Sequence, residues 1–162
     1  MIDYRGLLRA LSDAGVRFII VGGAAATAHG AARLTQDLDI VYRRDAENLQ
    51  RLAVALAPYE PYLRGAPPDL PFLLDAATLQ HGLNFTLTSK LGDIDLLGEI
   101  VGGGGHDALL PDSIEIELFG IRCRCLGLRK LIEVKRAAGR PKDLEAIAEL
   151  EALVDRAERS GG

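Results

Sequence analysis

One short run, Val21 to Val41, VGGAAATAHGAARLTQDLDIV, constrains the fold of this chain more than any other. The apolar segment Val16 to Val21, broken only by Arg17, ends in the pair Gly22-Gly23. An apolar run that short reads as a buried central strand. Strong helix formers then extend from Ala24 to His29 and stop at Gly30, predicting a short helix whose small residues permit close packing. Asp37 and Asp39 open a second apolar run that ends at Tyr42. On a strand, side chains two apart share a face, so both aspartates point one way while Leu38 and Ile40 point the other. Like charges held that close repel unless a cation neutralises them, and carboxylate oxygens suit magnesium carrying substrate phosphates. Gly22 and Gly23 let backbone N–H groups approach an anion where the helix begins. Alone, a glycine pair is often a tight turn and Asp-x-Asp a solvated strand end; at this spacing they predict a metal and phosphate site.

A third acid comes from Gly92-Asp93-Ile94-Asp95-Leu96-Leu97, a strand expected to lie beside Asp37 to Tyr42. Asp93 and Asp95 share a face, so period two does not choose between them. Local context does. Asp93 follows the turn at Gly92, where aspartates commonly satisfy turn backbone groups or meet water. Asp95 is enclosed by Ile94 and Leu96, so it is expected to be the more desolvated carboxylate and the one that needs a cation.

The order strand, Gly-Gly, short helix and Asp-x-Asp strand resembles the signature of the nucleotidyltransferase fold shared with DNA polymerase beta. More narrowly, GGAAATAHGAARLTQDLDI together with KRAAGRPKD resembles small bacterial nucleotidyltransferases of the AbiEii type from type IV toxin–antitoxin systems. The likeness covers most of the chain. It implies an α/β (α+β) fold, with a mixed, mostly antiparallel twisted sheet flanked by helices and two C-terminal helices against the active-site side. It also implies transfer of a nucleoside monophosphate from a nucleoside triphosphate to a hydroxyl of RNA, protein or a small molecule. Asp37, Asp39 and Asp95 would be the catalytic acids and the ligands of magnesium or manganese, with Asp95 also taking the hydroxyl proton. Gly22, Gly23, Arg33, Lys135 and Arg140 would meet the triphosphate, and the toxin–antitoxin setting implies a partner protein such as an antitoxin. The family's first motif usually reads Gly-Ser or Gly-Gly, so Gly23 is an accepted variant that gives no serine hydroxyl to the phosphates.

The stripe of Leu128, Leu131 and Ile132 has Lys135 as its next member, so this lysine faces the body of the protein. A charge there needs a partner, either a structural carboxylate or a phosphate. Lys142 and Asp143 would start the final helix. From Ile121 to Lys142 there are eight Lys or Arg against one acid, Glu133, whereas Asp143 to Glu151 holds four acids and no base. Such a block is usually a solvated face; here it is also placed to meet a polyphosphate. A net charge of −4 argues against a non-specific grip on nucleic acid.

With 162 residues, 48% of them hydrophobic, a single domain over 1–158 is expected, followed by a frayed terminus at 159–162. No apolar run approaches the length needed to cross a bilayer and no signal peptide is visible, so no membrane is expected and the location is expected to be cytoplasmic. Cys123 and Cys125 alternate within a predicted strand, where a disulfide between them would be strained, so buried free thiols are expected. A first helix follows the N-cap Asp3 and stops at Gly15, and Asp45 caps a third helix that Pro58 ends. Five of the seven prolines fall between Pro58 and Pro71, which predicts an irregular, substrate-facing connection and not a central strand. Leu83 to Leu97 reads as a hairpin turning at Lys90-Leu91-Gly92, and Ile114 to Cys125 as a second turning at Gly120. Gly102 to Gly105 reads as a flexible linker, with phosphate binding as the alternative. His29, near a helix end, reads as a structural hydrogen-bonder.

Other classes share parts of this pattern. Asp37-Leu38-Asp39-Ile40-Val41 matches the Asp-x-Asp-x-[Thr/Val] of haloacid-dehalogenase-type phosphatases, but those aspartates close a strand and these open one. Length disfavours a metal-dependent glycosyltransferase. The remaining alternative is a non-catalytic nucleotide-binding or partner-binding module that retains the fold.

Overall fold

Asp3 caps the first helix as its position predicts, its carboxylate accepting from the Gly6 N–H at 2.9 Å. In the computed structural model, which describes residues 2–31 and 37–161, this helix is α1, Tyr4–Asp13, and it buries Leu7, Leu8 and Leu11. Gly15 takes φ +73° and turns the chain into β1, Phe18–Val21, every residue of which is buried. Gly22–Ala28 forms α2, Asp37–Tyr42 β2 and Ala46–Leu56 α3, capped by Asp45. The order continues with β3 (Tyr62–Leu63), α4 (Ala76–His81), β4 (Asn84–Thr88), β5 (Asp93–Leu97), β6 (Glu99–Ile100) and β7 (Gly104–Gly105). It ends with α5 (His106–Leu109), β8 (Ser113–Leu118), β9 (Ile121–Leu126), α6 (Leu128–Ala138) and α7 (Pro141–Gly161).

Seven strands form one sheet in the order β3-β4-β5-β2-β1-β9-β8. The pairs β2–β5 and β1–β9 are parallel and the other neighbours antiparallel, as expected for a mixed, mostly antiparallel sheet. The fully apolar β1 lies inside the sheet, where both faces are covered. Leu38, Ile40, Ile94 and Leu96 point into the core from one face of β2 and β5, leaving the four aspartates of these strands on the other. Helix α2 packs on β1 and β2, and α6 packs on α2 and α7. Among the described residues no helix is long and apolar enough to cross a membrane.

Charge explains how the last two helices meet. Arg129 pairs with Glu158 and Arg136 with Glu151, so basic α6 runs antiparallel to acidic α7. Part of the basic block is therefore matched within the fold. Helix α7 spans Pro141–Gly161.

The glycine run also departs from its expectation. Gly104–Gly105 pairs with Glu99–Ile100 in a small ribbon, and a Cβ on Gly102 would come within 2.4 Å of the Ala137 Cβ on α6. These glycines permit close packing against a helix, which a composition of four glycines alone does not distinguish from a linker. His29 and the cysteines behave as expected. The His29 Nε2–H donates to the Leu126 carbonyl at 2.9 Å, and both thiols are free and buried, burial pushing Cys125 up to about 12.

Candidate active site

Strand register assembles the acids. Because β2 and β5 run parallel with Asp37 opposite Asp93 and Asp39 opposite Asp95, four carboxylates occupy one patch of one sheet face. Oxygens from Asp37, Asp39 and Asp95 converge within 4.8 Å of one another. On the other side, antiparallel pairing sets Val21 opposite Asp39, so the next residue, Gly22, lies against the Asp39 carboxyl. Gly22 takes φ +67°, and a Cβ there would meet Asp39 Oδ2 at 2.2 Å. Only glycine fits this close approach. Gly22 is already the first residue of α2, so the helix starts at the glycine pair and not after it.

These residues border a cavity of about 270 Å³ closed on its far side by Lys135 of α6, Arg140 of the connection between α6 and α7, and Asp143 of α7. Gly22, Gly23, Asp37, Asp39, Asp95, Lys135 and Arg140, all named as candidates from the sequence, line it; Arg33 lies outside the described residues. The donor set fits a hard divalent cation, being all carboxylate oxygen, and Asp39 Oδ1 is buried with no hydrogen-bond partner among the described residues.

No protein-family model matches the sequence, and no curated protein matches it. Solved structures do. The chain is similar to a candidate nucleotidyltransferase from Thermotoga maritima, with a TM-score of 0.57 at 14% identity over 92% of this chain and 94% of that one. An antigenic nucleotidyltransferase-like protein from Paracoccidioides brasiliensis matches with a TM-score of 0.55 at 13% identity, over 95% of this chain and 78% of that one. The antibiotic-resistance factor ANT(2'')-Ia matches with a TM-score of 0.51 at 16% identity, over 97% and 91% of the two chains. The fold is that of the nucleotidyltransferases.

Within this nucleotidyltransferase fold the cations divide into paired and unpaired. Arg140 forks onto Asp143, its Nε 2.6 Å from Oδ2 and its Nη2 3.2 Å from Oδ1, so it enters the cavity wall already tied to an acid. Burial works against the Asp143 carboxylate, but Arg140 and Lys135 outweigh it and hold its pKa below the usual range. Lys135 is half-buried and forms no ion pair among the described residues. Burial lowers its pKa below the usual lysine value, and the Asp143 carboxylate only partly offsets this.

Sequence reasoning missed one residue of the site, Arg64. It follows the edge strand β3, and its side chain reaches over β4 to the acids. Nη2 donates to Asp95 Oδ1 at 2.8 Å and to the Leu87 carbonyl at 2.7 Å. Nε lies 3.2 Å from Asp93 Oδ2 as an ion pair without hydrogen-bond alignment, and Nη1 lies 3.9 Å from Asp37 Oδ2. The proline-rich segment does face the site, and an arginine within it was the available signal.

Even with Arg64 present, the acids disfavour full ionisation. Burial, then the Asp37 and Asp95 carboxylates, push Asp39 up to about 7, and burial with Asp95 raises Asp37 as well. The folded protein therefore holds the Asp39 proton more tightly than the unfolded chain. That stabilisation is complete below about pH 4 and is lost as pH rises through about 7. Urea unfolding of metal-free protein at about pH 5 and about pH 8 is expected to show wild type losing about 2 kcal/mol more than Asp39→Asn. An equal loss in both would contradict the assignment.

Proposed function

We propose that the protein is a metal-dependent nucleotidyltransferase that moves a nucleoside monophosphate from a nucleoside triphosphate to a hydroxyl of RNA, protein or a small molecule. The observation that carries this reading is the convergence of Asp37, Asp39 and Asp95 beside Gly22-Gly23 in a nucleotidyltransferase-like fold. Asp37, Asp39 and Asp95 would hold magnesium or manganese, and the ion would supply positive charge to a triphosphate and to the oxygens that gain charge in transfer. Backbone N–H groups of Gly22 and Gly23, which line the cavity at the start of α2, would meet the phosphates. Lys135, which forms no ion pair among the described residues, would reach the triphosphate from α6, and Arg140 would border it while bonded to Asp143. Arg33 is assigned to the phosphates on the sequence resemblance. In the reaction the acceptor oxygen bonds to the α-phosphorus, the bond to pyrophosphate breaks, and the hydroxyl proton passes to Asp95. The two AbiEii-like motifs support a toxin–antitoxin setting with a partner protein, and the chemistry is that of a cytoplasmic enzyme.

One observation favours a second reading. Arg64 already neutralises part of the acidic patch, as a binding module without catalysis would allow. Nucleoside triphosphates labelled at either the α- or the γ-phosphate, incubated with magnesium and with RNA, protein or small-molecule fractions, separate the two. Transfer of α-label to an acceptor with release of pyrophosphate is expected. Triphosphate binding with no transferred label would support the module, and transfer of γ-label would contradict nucleotidyl chemistry.

A further inference from the structure

Four carboxylates, Asp37, Asp39, Asp93 and Asp95, share one sheet face in two side-by-side pairs. Like charges directly opposite each other on neighbouring strands are destabilising, so the patch needs cations even before any substrate arrives. The chain supplies one itself. Arg64 is anchored by backbone and side chain alike: its N–H donates to the Thr86 carbonyl at 3.0 Å and its Nη2 to the Leu87 carbonyl at 2.7 Å. So held, its guanidinium lies against Asp95 and Asp93 and within 3.9 Å of Asp37 Oδ2, while Asp39 Oδ1 is buried with no hydrogen-bond partner among the described residues. The patch is thus partly neutralised, mainly on the β5 side, and open on the side of Asp39 and Gly22.

We propose that Arg64 is a built-in cation that takes the place of a second divalent ion, positioning Asp95 and limiting the nucleotide-free protein to one divalent ion at Asp37, Asp39 and Asp95. The charges support that count. Fully ionised, as a bound cation favours, the four acids would carry −4, which one divalent ion, Arg64 and Lys135 together balance; a second divalent ion would have to sit against a fixed guanidinium. Arginine suits the role because it stays charged and offers several donors in a planar fork. This inference rests on the metal-site reading above, and its test does not require transfer activity.

Counting bound manganese by the electron paramagnetic resonance signal of the free ion, in nucleotide-free protein, provides that test. Wild type and Arg64→Lys are expected to bind one ion per chain. Arg64→Gln is expected to bind two, the first about tenfold more tightly because a repelling charge beside the carboxylates has gone. If Arg64→Gln binds one ion with wild-type affinity, the role of Arg64 is overturned while the metal site stands. If neither protein binds manganese, the metal-site reading falls and this proposal with it. Should the glutamine variant not fold, the wild-type count decides: two ions overturn the proposal and one supports it.

Discussion

Asp95→Asn is expected to lower the rate of nucleotidyl transfer roughly a thousandfold, equivalent to about 4 kcal/mol of transition-state stabilisation, while Asp93→Asn stays within about tenfold of wild type. The two residues are neighbours on one strand face, so the contrast tests placement and not mere charge. Asp95 is the less exposed, with 21% of its side chain accessible against 37% for Asp93. Its register partner is Asp39, the most perturbed carboxyl of the patch, whereas Asp93 opposes Asp37 at the outer end. An oxygen of Asp95 converges with those of Asp37 and Asp39, a group that does not include Asp93, while Arg64 contacts both Asp93 and Asp95. Removing Asp95 strips an acid from the cluster and, in the proposed reaction, the group that takes the acceptor proton. Removing Asp93 costs a partly exposed ion pair, a contact worth little when water competes for it. Steady-state label transfer by the two variants checks the prediction, and the reverse order of loss would move the site by one side-chain repeat along β5.

Much of this arrangement is legible in the sequence because it depends on local periods. Alternation in Asp37 to Tyr42 and Asp93 to Leu97 fixes which face each aspartate takes, and burial of Leu38, Ile40, Ile94 and Leu96 locks that face outward. The stripe that places Lys135 on the cavity side of α6 is read from helical spacing in the same way. What is not legible is non-local. Arg64 follows a strand of two residues, too short to show a period, and reaches Asp95 only because that strand pairs with Thr88 and Leu87 at the sheet edge. The pairing of Arg140 with Asp143 and of α6 with α7 reflects complementary charge blocks that sequence shows as composition, without saying which residues meet. The start of α2 at Gly22 is a third case. Its reason is the close approach of Asp39 across the β1–β2 pair, which only the register reveals.

The second large effect concerns the site as a whole. Asp37 and Asp39 project from alternate positions of one strand beside Gly22, and with both converted to asparagine the cluster keeps its shape but loses two of its four charges. Asparagine is a poor ligand for a hard divalent ion compared with a carboxylate, and the neutral pair no longer attracts one. A triphosphate would then face the remaining acids without the intervening cation. Calorimetric titration of a nucleoside triphosphate into the protein, with magnesium and with a chelator, tests the central claim most directly. The wild type is expected to bind only with magnesium, and the Asp37→Asn, Asp39→Asn double variant to weaken that binding by about a hundredfold or more, about 3 kcal/mol. Binding by the double variant that equals wild type, or wild-type binding unchanged by the chelator, would contradict a metal site at these aspartates.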